Sequence, residues 1–401
     1  MMGQTMEPDT PGPELAAAII AVQDIAALEM RLTYSTARLA IEIAELEWKL
    51  AFARAVHDHA EASQLWLDRL NELAAQPPMS APHAPYDPGS ARDRVDAYLQ
   101  ELEALSVLCT AHLDAAHPVS DEPSIRLIRQ RLLLIDDLAQ KIRSVPVTGA
   151  GQATACGQIT ENGYVPPSRP ARDAVFNGGA PPIDPLGEGV DLRSAALELM
   201  HANLTDLELS TIEICCLFIL QNPDAPWGFV ADMARQSWDE ARHAVAFRDR
   251  ILDLGGALGA RKTNFTHWDI VVGQDLPTAL TCHQMIGEWI GIDGALWFGS
   301  HFRDCGDAET GRVFDFVARD ECTHVLFGNR WIEYFMPLKE DRDTVMARAE
   351  DVRRAHGKSV DGPLTFPLHE WACDQAGYRP QDKQKLVERY ASHGSVIGSP
   401  E

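Results

Sequence analysis

The sequence predicts an all-α protein, a four-helix bundle preceded by an additional N-terminal helical domain. Three observations predict it. No stretch of the 401-residue chain alternates apolar and polar residues with the two-residue period of a strand. From Glu14 to Gln76 there is neither glycine nor proline, and apolar residues recur at helical spacing: Leu32, Leu39, Ile43, Leu46, Leu50. Four later segments of helical pattern carry acids and histidines at matching separations.

Residues 1–13 are expected to be a disordered N-terminus. The span 14–76 predicts one very long helix, or a hairpin whose turn lacks the usual breakers, and PPMSAPHAPYDPGS (77–90) interrupts it. Helical pattern returns over 91–116 and 122–144, divided by HPVSDEPS, in which Ser120 or Asp121 would cap the second helix. Residues 14–144 thus form an N-terminal helical domain. The next segment, 145–190, holds seven prolines and eight glycines. It reads as a linker or a loop wrapped on a neighbour, and Tyr164, Val165 and Phe176 favour wrapping. A bundle follows at 191–337, with helices over 191–221, 227–254, 276–303 and 307–335. A C-terminal helical extension (338–401) contains a charged helix at 339–357, a PLTFPL break, and a short helix near 381–391.

Charge narrows the partners. Fifty-nine acids against 35 bases give a net charge of -24, which opposes nucleic acid and anionic membrane. No apolar run approaches the ~20 residues that cross a bilayer. The opening MMGQTMEPDTPGPE has neither the basic start nor the apolar core of an export signal. Eight cysteines show no Cys-x-x-Cys pair, and Cys215 and Cys216 are adjacent, so the expectation is reduced core thiols in the cytoplasm.

The chemistry lies in WDEARHAVAF (238–247) and ARDECTHVLF (318–327), which each place Glu-x-x-His behind an aspartate. At about 100° per residue, positions i and i+3 lean to one side of a helix. A dimetal-carboxylate bundle takes such a pair from each of two helices and one Glu from each of the other two. Carboxylates supply hard anionic oxygen that bridges cations, and imidazole supplies neutral nitrogen. Glu240, His243, Glu321 and His324 fill the paired positions, and Glu288, alone among apolar residues in QMIGEWIGIDG, fills a third.

Either Glu208 or Glu213 could be the fourth. Glu288 precedes Glu321 by 33 residues and Glu208 precedes Glu240 by 32, whereas Glu213 precedes it by 27. Ligands at one depth in matched hairpins should have matched separations, so Glu208 is favoured and Glu213 held in reserve. The separations 208–288 (80 residues) and 240–321 (81) expose an internal repeat: two hairpins joined by a crossover over about 255–275, as in a ferritin-like bundle. Asp239 and Asp320 are placed to orient the histidine of the opposite motif, with Arg242 neutralising one of them. Gly287 and Gly291 flank Glu288 and leave room beside it, and His283 is a candidate pocket residue. His201 and the tryptophans 289, 297 and 331 are read as packing, and Cys322 as pointing away from the ligands. His57, Asp58, His59 and Glu61 look like a second metal cluster but lack a partner cluster, and a solvated helix face is the expectation.

The stretches DEARHAVAFRDRILDLGG and DECTHVLFGNRWIEYF closely resemble an uncharacterised bacterial ferritin-like family, over about 191–380 and including PLTFPLHEWACDQAGY. Residues 1–190 carry no such likeness. The doubled Asp-Glu-x-x-His is shared with di-iron oxidases and oxygenases, which implies Glu208, Glu240, His243, Glu288, Glu321 and His324 as ligands of two iron ions, or of manganese or a mixed pair. One departure stands out: the family tends to place histidine two residues before its first ligand, where this chain has Asp206. The resemblance implies an oxidoreductase with O₂ as co-substrate acting on a small organic molecule. With no flavin, nicotinamide or iron–sulfur motif present, an external electron donor is expected unless the substrate supplies the electrons. Iron oxidation or peroxide detoxification of the ferritin and rubrerythrin kind is an alternative. Another is an interaction protein with a metal-stabilised bundle, its long helix pairing two chains into a homodimer.

Overall fold

A computed structural model describes residues 12–78, 90–145, 156–160, 163–358, 367–392 and 397–398. The tail expected at 1–13, the interruption at 77–90 and the PLTFPL break lie mostly outside them. The described chain is overwhelmingly α-helical.

The Gly- and Pro-free span is a hairpin. Helix α1 (Pro13–Glu42) begins with proline at its first turn, and α2 (Leu46–Glu72) returns alongside it. The turn is held by Lys49 at the start of α2 and by two groups distant in sequence. Lys49 Nζ donates to the Ala40 carbonyl, Ala171 N–H donates to the Ile41 carbonyl (3.1 Å), and Leu46 N–H donates to Asp173 (3.2 Å).

Helix α3 (Ala91–Ala115) starts in a reciprocal Ser90–Asp93 capping box. Asp121 precedes α4 (Glu122–Ser144) but bonds no backbone N–H of it, contrary to the capping role expected. Its carboxylate accepts instead from Arg69 (3.0 Å), His112 (2.7 Å) and Ser124 (2.5 Å), so it joins α2, α3 and α4 by side chains.

The segment after α4 wraps the neighbouring helices. A small antiparallel ribbon, β1 (Gln158–Thr160) and β2 (Gly163–Val165), places the Tyr164 hydroxyl on Glu42 at 3.0 Å. Farther on, Ser168 accepts from the Trp268 indole, and the Ala180 backbone bonds the 260–262 strand-like turn.

Asp191 caps α5 (Leu192–Ala202), which runs through a π-helical turn, Asn203–Glu208, into α6 (Leu209–Gln221). Helix α7 (Trp227–Asp253) returns, and the crossover contains α8 (Thr266–Val271). The second hairpin repeats the design: α9 (Leu276–Leu280), a π turn over Thr281–Gly287, α10 (Glu288–Asp304), and α11 (Ala308–Phe335). Helices α12 (Arg342–Ala355), α13 (Glu370–Gln375) and α14 (Pro380–Ser392) pack on the outside.

The helix pairs stack in order: α3 and α4 on α1 and α2, these on α6 and α7, and these on α10 and α11. Apolar residues of every layer form one continuous core, from Val22 and Ile25 through Phe52 and Phe229 to Phe302 and Ile332. No described helix is long and apolar enough to cross a membrane.

The expected solvated face at 57–61 is corrected at His59. His59 is fully buried, where Glu29 of α1 (2.6 Å), Tyr98 of α3 (2.8 Å) and Arg131 of α4 (2.7 Å) surround its ring nitrogens. His57 stacks on Trp238 of α7, with ring centroids 4.8 Å apart. His59 is thus held in an interhelical polar core rather than in a metal cluster, while Glu61 is exposed as expected.

Candidate metal centre

The site forms where α7 and α11 cross the two π turns. On α7, Glu240 and His243 lie one turn apart and face inward, as do Glu321 and His324 on α11. Glu208 closes the first π turn, and Glu288 follows the second. All six side chains are buried, none more than 8 % exposed.

Their donor atoms gather in two overlapping groups. Glu208, Glu240, His243 and Glu321 make one, and Glu240, Glu288, Glu321 and His324 the other, with the donor atoms of each within 4.8 Å of one another. Glu240 and Glu321 belong to both. His243 Nδ1 lies 3.1 Å from Glu240 and 3.4 Å from Glu208; His324 Nδ1 lies 2.8 Å from Glu321 and 3.1 Å from Glu240.

The outer nitrogens are oriented crosswise. His243 Nε2 is 3.1 Å from Asp320, and His324 Nε2 is 3.5 Å from Asp239. Each aspartate therefore serves the imidazole of the other motif. Arg242 bridges the pair, bonding Asp239 and, at 2.9 Å, Asp320; Arg235 adds two bonds to Asp239. The bond between His243 Nε2 and Asp320, and the nearness of His324 Nε2 to Asp239, leave both Nδ1 atoms facing the cluster. Carboxylate oxygen and imidazole nitrogen form a donor set suited to a divalent transition metal, and this buried cluster could hold a metal ion.

Electrostatics express the crowding of four acids. Burial, reinforced by Glu240, pushes the Glu208 carboxyl well above its usual range. Burial with Glu321 and Glu240 does the same to Glu288. Glu240 is held low against its burial by His324 and by hydrogen bonds from Glu208 and His243. Burial disfavours the charged imidazoles, but the surrounding carboxylates outweigh it and hold both His243 and His324 high. Cations replacing those protons would relieve the same repulsion.

Glu213 is not part of this set, and its reserve role is corrected. It faces the N-terminal hairpin, where Lys49 (2.7 Å) and Arg172 neutralise it, and Arg172 also bonds Ser210. On a helix, five residues past Glu208 turn it to a different face, and two cations from outside the bundle claim it there.

Two glutamines near the cluster were not anticipated. Gln236 donates to Glu288 (2.9 Å) and Glu240 (3.2 Å), and Gln284 donates to Gln236 (2.6 Å). Each glutamine stands four residues before a ligand Glu, a spacing that could have flagged them. His283 lies beside Glu288 within the bundle, its Nε2 3.1 Å from a Glu288 oxygen. Asp206 binds Arg261 (2.6 Å) and Asn264, pinning the crossover, and His201 does likewise through the Ala257 carbonyl (3.0 Å). A Cβ on Gly291 would stand 3.9 Å from the Glu321 chain, whereas one on Gly287 would face His267 and Arg353. Cys322 turns its thiol to the Ala318 carbonyl of its own helix.

A family model described as Protein of unknown function (DUF455) matches residues 130–383. The chain belongs to this family. The DUF455 match spans all six cluster residues, both aspartates and both π turns, and it begins inside α4, well before the limit near 191 that the motif resemblance implied. Arg131 of the His59 network is thus part of the DUF455 region, whereas α1, α2 and α3 precede it. No curated protein and no solved structure matches the chain.

Proposed function

We propose that this chain is a ferritin-like dimetal oxidoreductase, using iron, manganese or a mixed pair to oxidise a small organic substrate with O₂. The observation that carries the reading is the pair of four-residue groups sharing Glu240 and Glu321. Two carboxylates common to two sets of donors suit two neighbouring cations, and four carboxylates balance two divalent charges in a buried space.

Glu208 with His243 would hold one ion and Glu288 with His324 the other, Glu240 and Glu321 lying between. A metal pair so bound supplies electrons to O₂ and an open coordination position. The polypeptide does the rest. Asp239 and Asp320 fix the imidazole rings, Arg242 ties the two aspartates together, and Gln236 spans Glu240 and Glu288. Burial of all six side chains keeps bulk water from the cluster. A groove of about 390 Å³ between α7 and α11 has His243 and Asp320 in its wall, beside Val313, Phe316 and Arg312, and offers a small molecule an approach to the cluster.

The test is metal analysis of the purified chain followed by oxygen uptake of the ferrous form. Two irons per chain and substoichiometric to stoichiometric O₂ consumption support the reading. Two bound irons with no oxygen consumed would end the oxygenase part of it, and no bound metal would end it altogether.

A further inference from the structure

His283 is 1 % exposed, and neither of its ring nitrogens has a hydrogen-bond partner. A buried imidazole left in that state is destabilising, because each stranded polar group has lost water without gaining a partner. Its ring rests between Phe218 (6.2 Å) and His267 (5.6 Å), neither of which satisfies it. Among the described residues the charged group within ion-pair distance is Glu288, 3.1 Å from Nε2 but off the direction of a hydrogen bond.

The backbone is built to put it there. Along a regular α-helix, residues five apart point about 140° away from each other. His283 and Glu288 are five apart, yet the π turn Thr281–Gly287 between them closes its hydrogen bonds over one more residue and cuts that offset. The widened turn brings both side chains toward one side.

The first hairpin does not share this feature. By the 80-residue offset that relates Glu208 to Glu288, His283 corresponds to Asn203, whose amide donates to its own helix at Leu199 (2.8 Å). At this position the two halves of the cluster differ by an imidazole.

We infer that His283 is a third imidazole ligand, joining the Glu240, Glu288, Glu321 and His324 group at its Glu288 edge and making the two metal positions unequal. This rests on the dimetal reading proposed above. The position beside Glu208 is served by one histidine and the position beside Glu288 by two. Nitrogen donors favour cations later in the Mn, Fe, Co series more than oxygen donors do, so the position beside Glu288 is the tighter one for such ions.

The experiment uses the full chain and Co(II). Titration followed by calorimetry and by visible absorption should show two ions per chain taken up with different affinities. In His283→Gln the tighter step should weaken at least tenfold and its absorption change, while the other step stays as it was. Anomalous density from a Co(II)-loaded wild-type crystal should place His283 Nε2 about 2.0–2.2 Å from the ion beside Glu288. That crystal decides the matter even if His283→Gln fails to fold. Two Co(II) ions bound with unchanged affinities in His283→Gln would overturn the inference. So would density in which His283 only hydrogen-bonds Glu288. Wild-type protein that takes up no Co(II) fails the dimetal reading itself, and this inference with it.

Discussion

His243 on α7 is bonded through Nε2 to Asp320 on α11, the residue that precedes Glu321 in the opposite motif, at 3.1 Å. The reciprocal pair, His324 and Asp239, is looser at 3.5 Å, and Asp239 is shared with Arg235 and Arg242. Replacing either aspartate by asparagine keeps its shape and removes the charge that orients the ring. Metal affinity should fall about 10–100-fold in Asp320→Asn, with far-UV circular dichroism unchanged. Asp239→Asn should lose affinity too and also destabilise the fold, because two guanidinium groups lose their acid. Competition with a metallochromic chelator reads the first effect and urea unfolding the second.

Glu208 and Glu213 give a clean contrast. Glu208→Gln should lose metal, and Glu213→Gln should keep it. The second variant leaves Lys49 and Arg172 buried around a neutral amide, which should cost about 3–5 kcal/mol of stability. If Glu213→Gln strips the metal from a folded protein, the assignment of Glu208 is wrong.

Acidity should act on the metal-free protein in a definite direction. His243 and His324 have folded pKa values raised above the ordinary 6.5, so their contribution is complete below that pH and is lost as pH rises through the folded values. Glu208 and Glu288, raised above 4.5, act with the same sign. Glu240, held low, has the opposite sign, but its contribution is already complete above 4.5. From pH 6.5 upward the melting temperature of the metal-free chain should therefore fall, and the gain on adding Co(II) should widen. Calorimetric scans with and without metal check this; a gain that shrinks with pH contradicts it.

The Glu29–His59–Arg131 network responds in the other direction. Burial alone would raise Glu29, but Arg131 and His59 hold it below 4.5, and burial holds His59 below 6.5. Both contributions are present at neutral pH and are lost as pH falls, His59 first. Arg131→Met should cost about 3–5 kcal/mol by stranding Glu29, and Glu29→Leu combined with Arg131→Met should recover most of it. Chemical denaturation of the single and double variants separates these outcomes.

Gly328 lets α11 approach the second π turn. A Cβ there would come within 2.5 Å of Gln284 Cβ and 3.2 Å of the Met285 sulfur. Gly328→Ala should destabilise the protein by about 1–3 kcal/mol through overpacking. It should also weaken metal binding, since Gln284 supports Gln236 beneath the cluster.

The bundle helices and their acids are legible because they rest on local period and on separations along the chain. The interval argument selects Glu208 without any knowledge of packing. What is not legible depends on partners far away in sequence. The turn at 43–45 lacks glycine and proline because Lys49, Ala171 and Asp173 hold it, two of them from a segment more than a hundred residues later. His59 resembles an exposed helical histidine until Glu29, Tyr98 and Arg131 arrive from three other helices. The π turns leave no mark in apolar periodicity, so His283 is assigned to a pocket when its place is next to Glu288.

A π turn is a helix carrying one surplus residue, and each of the two ligand hairpins carries one. Removing a single residue of 281–287 other than His283 would let the helix relax to regular form. Everything upstream, from Leu276 to Leu280, would then swing by about 100° against α11 and α12. At these two places the fold tolerates exchange of side chains far better than a change of length. A shortened chain would keep every ligand in its sequence and lose the frame that makes them meet.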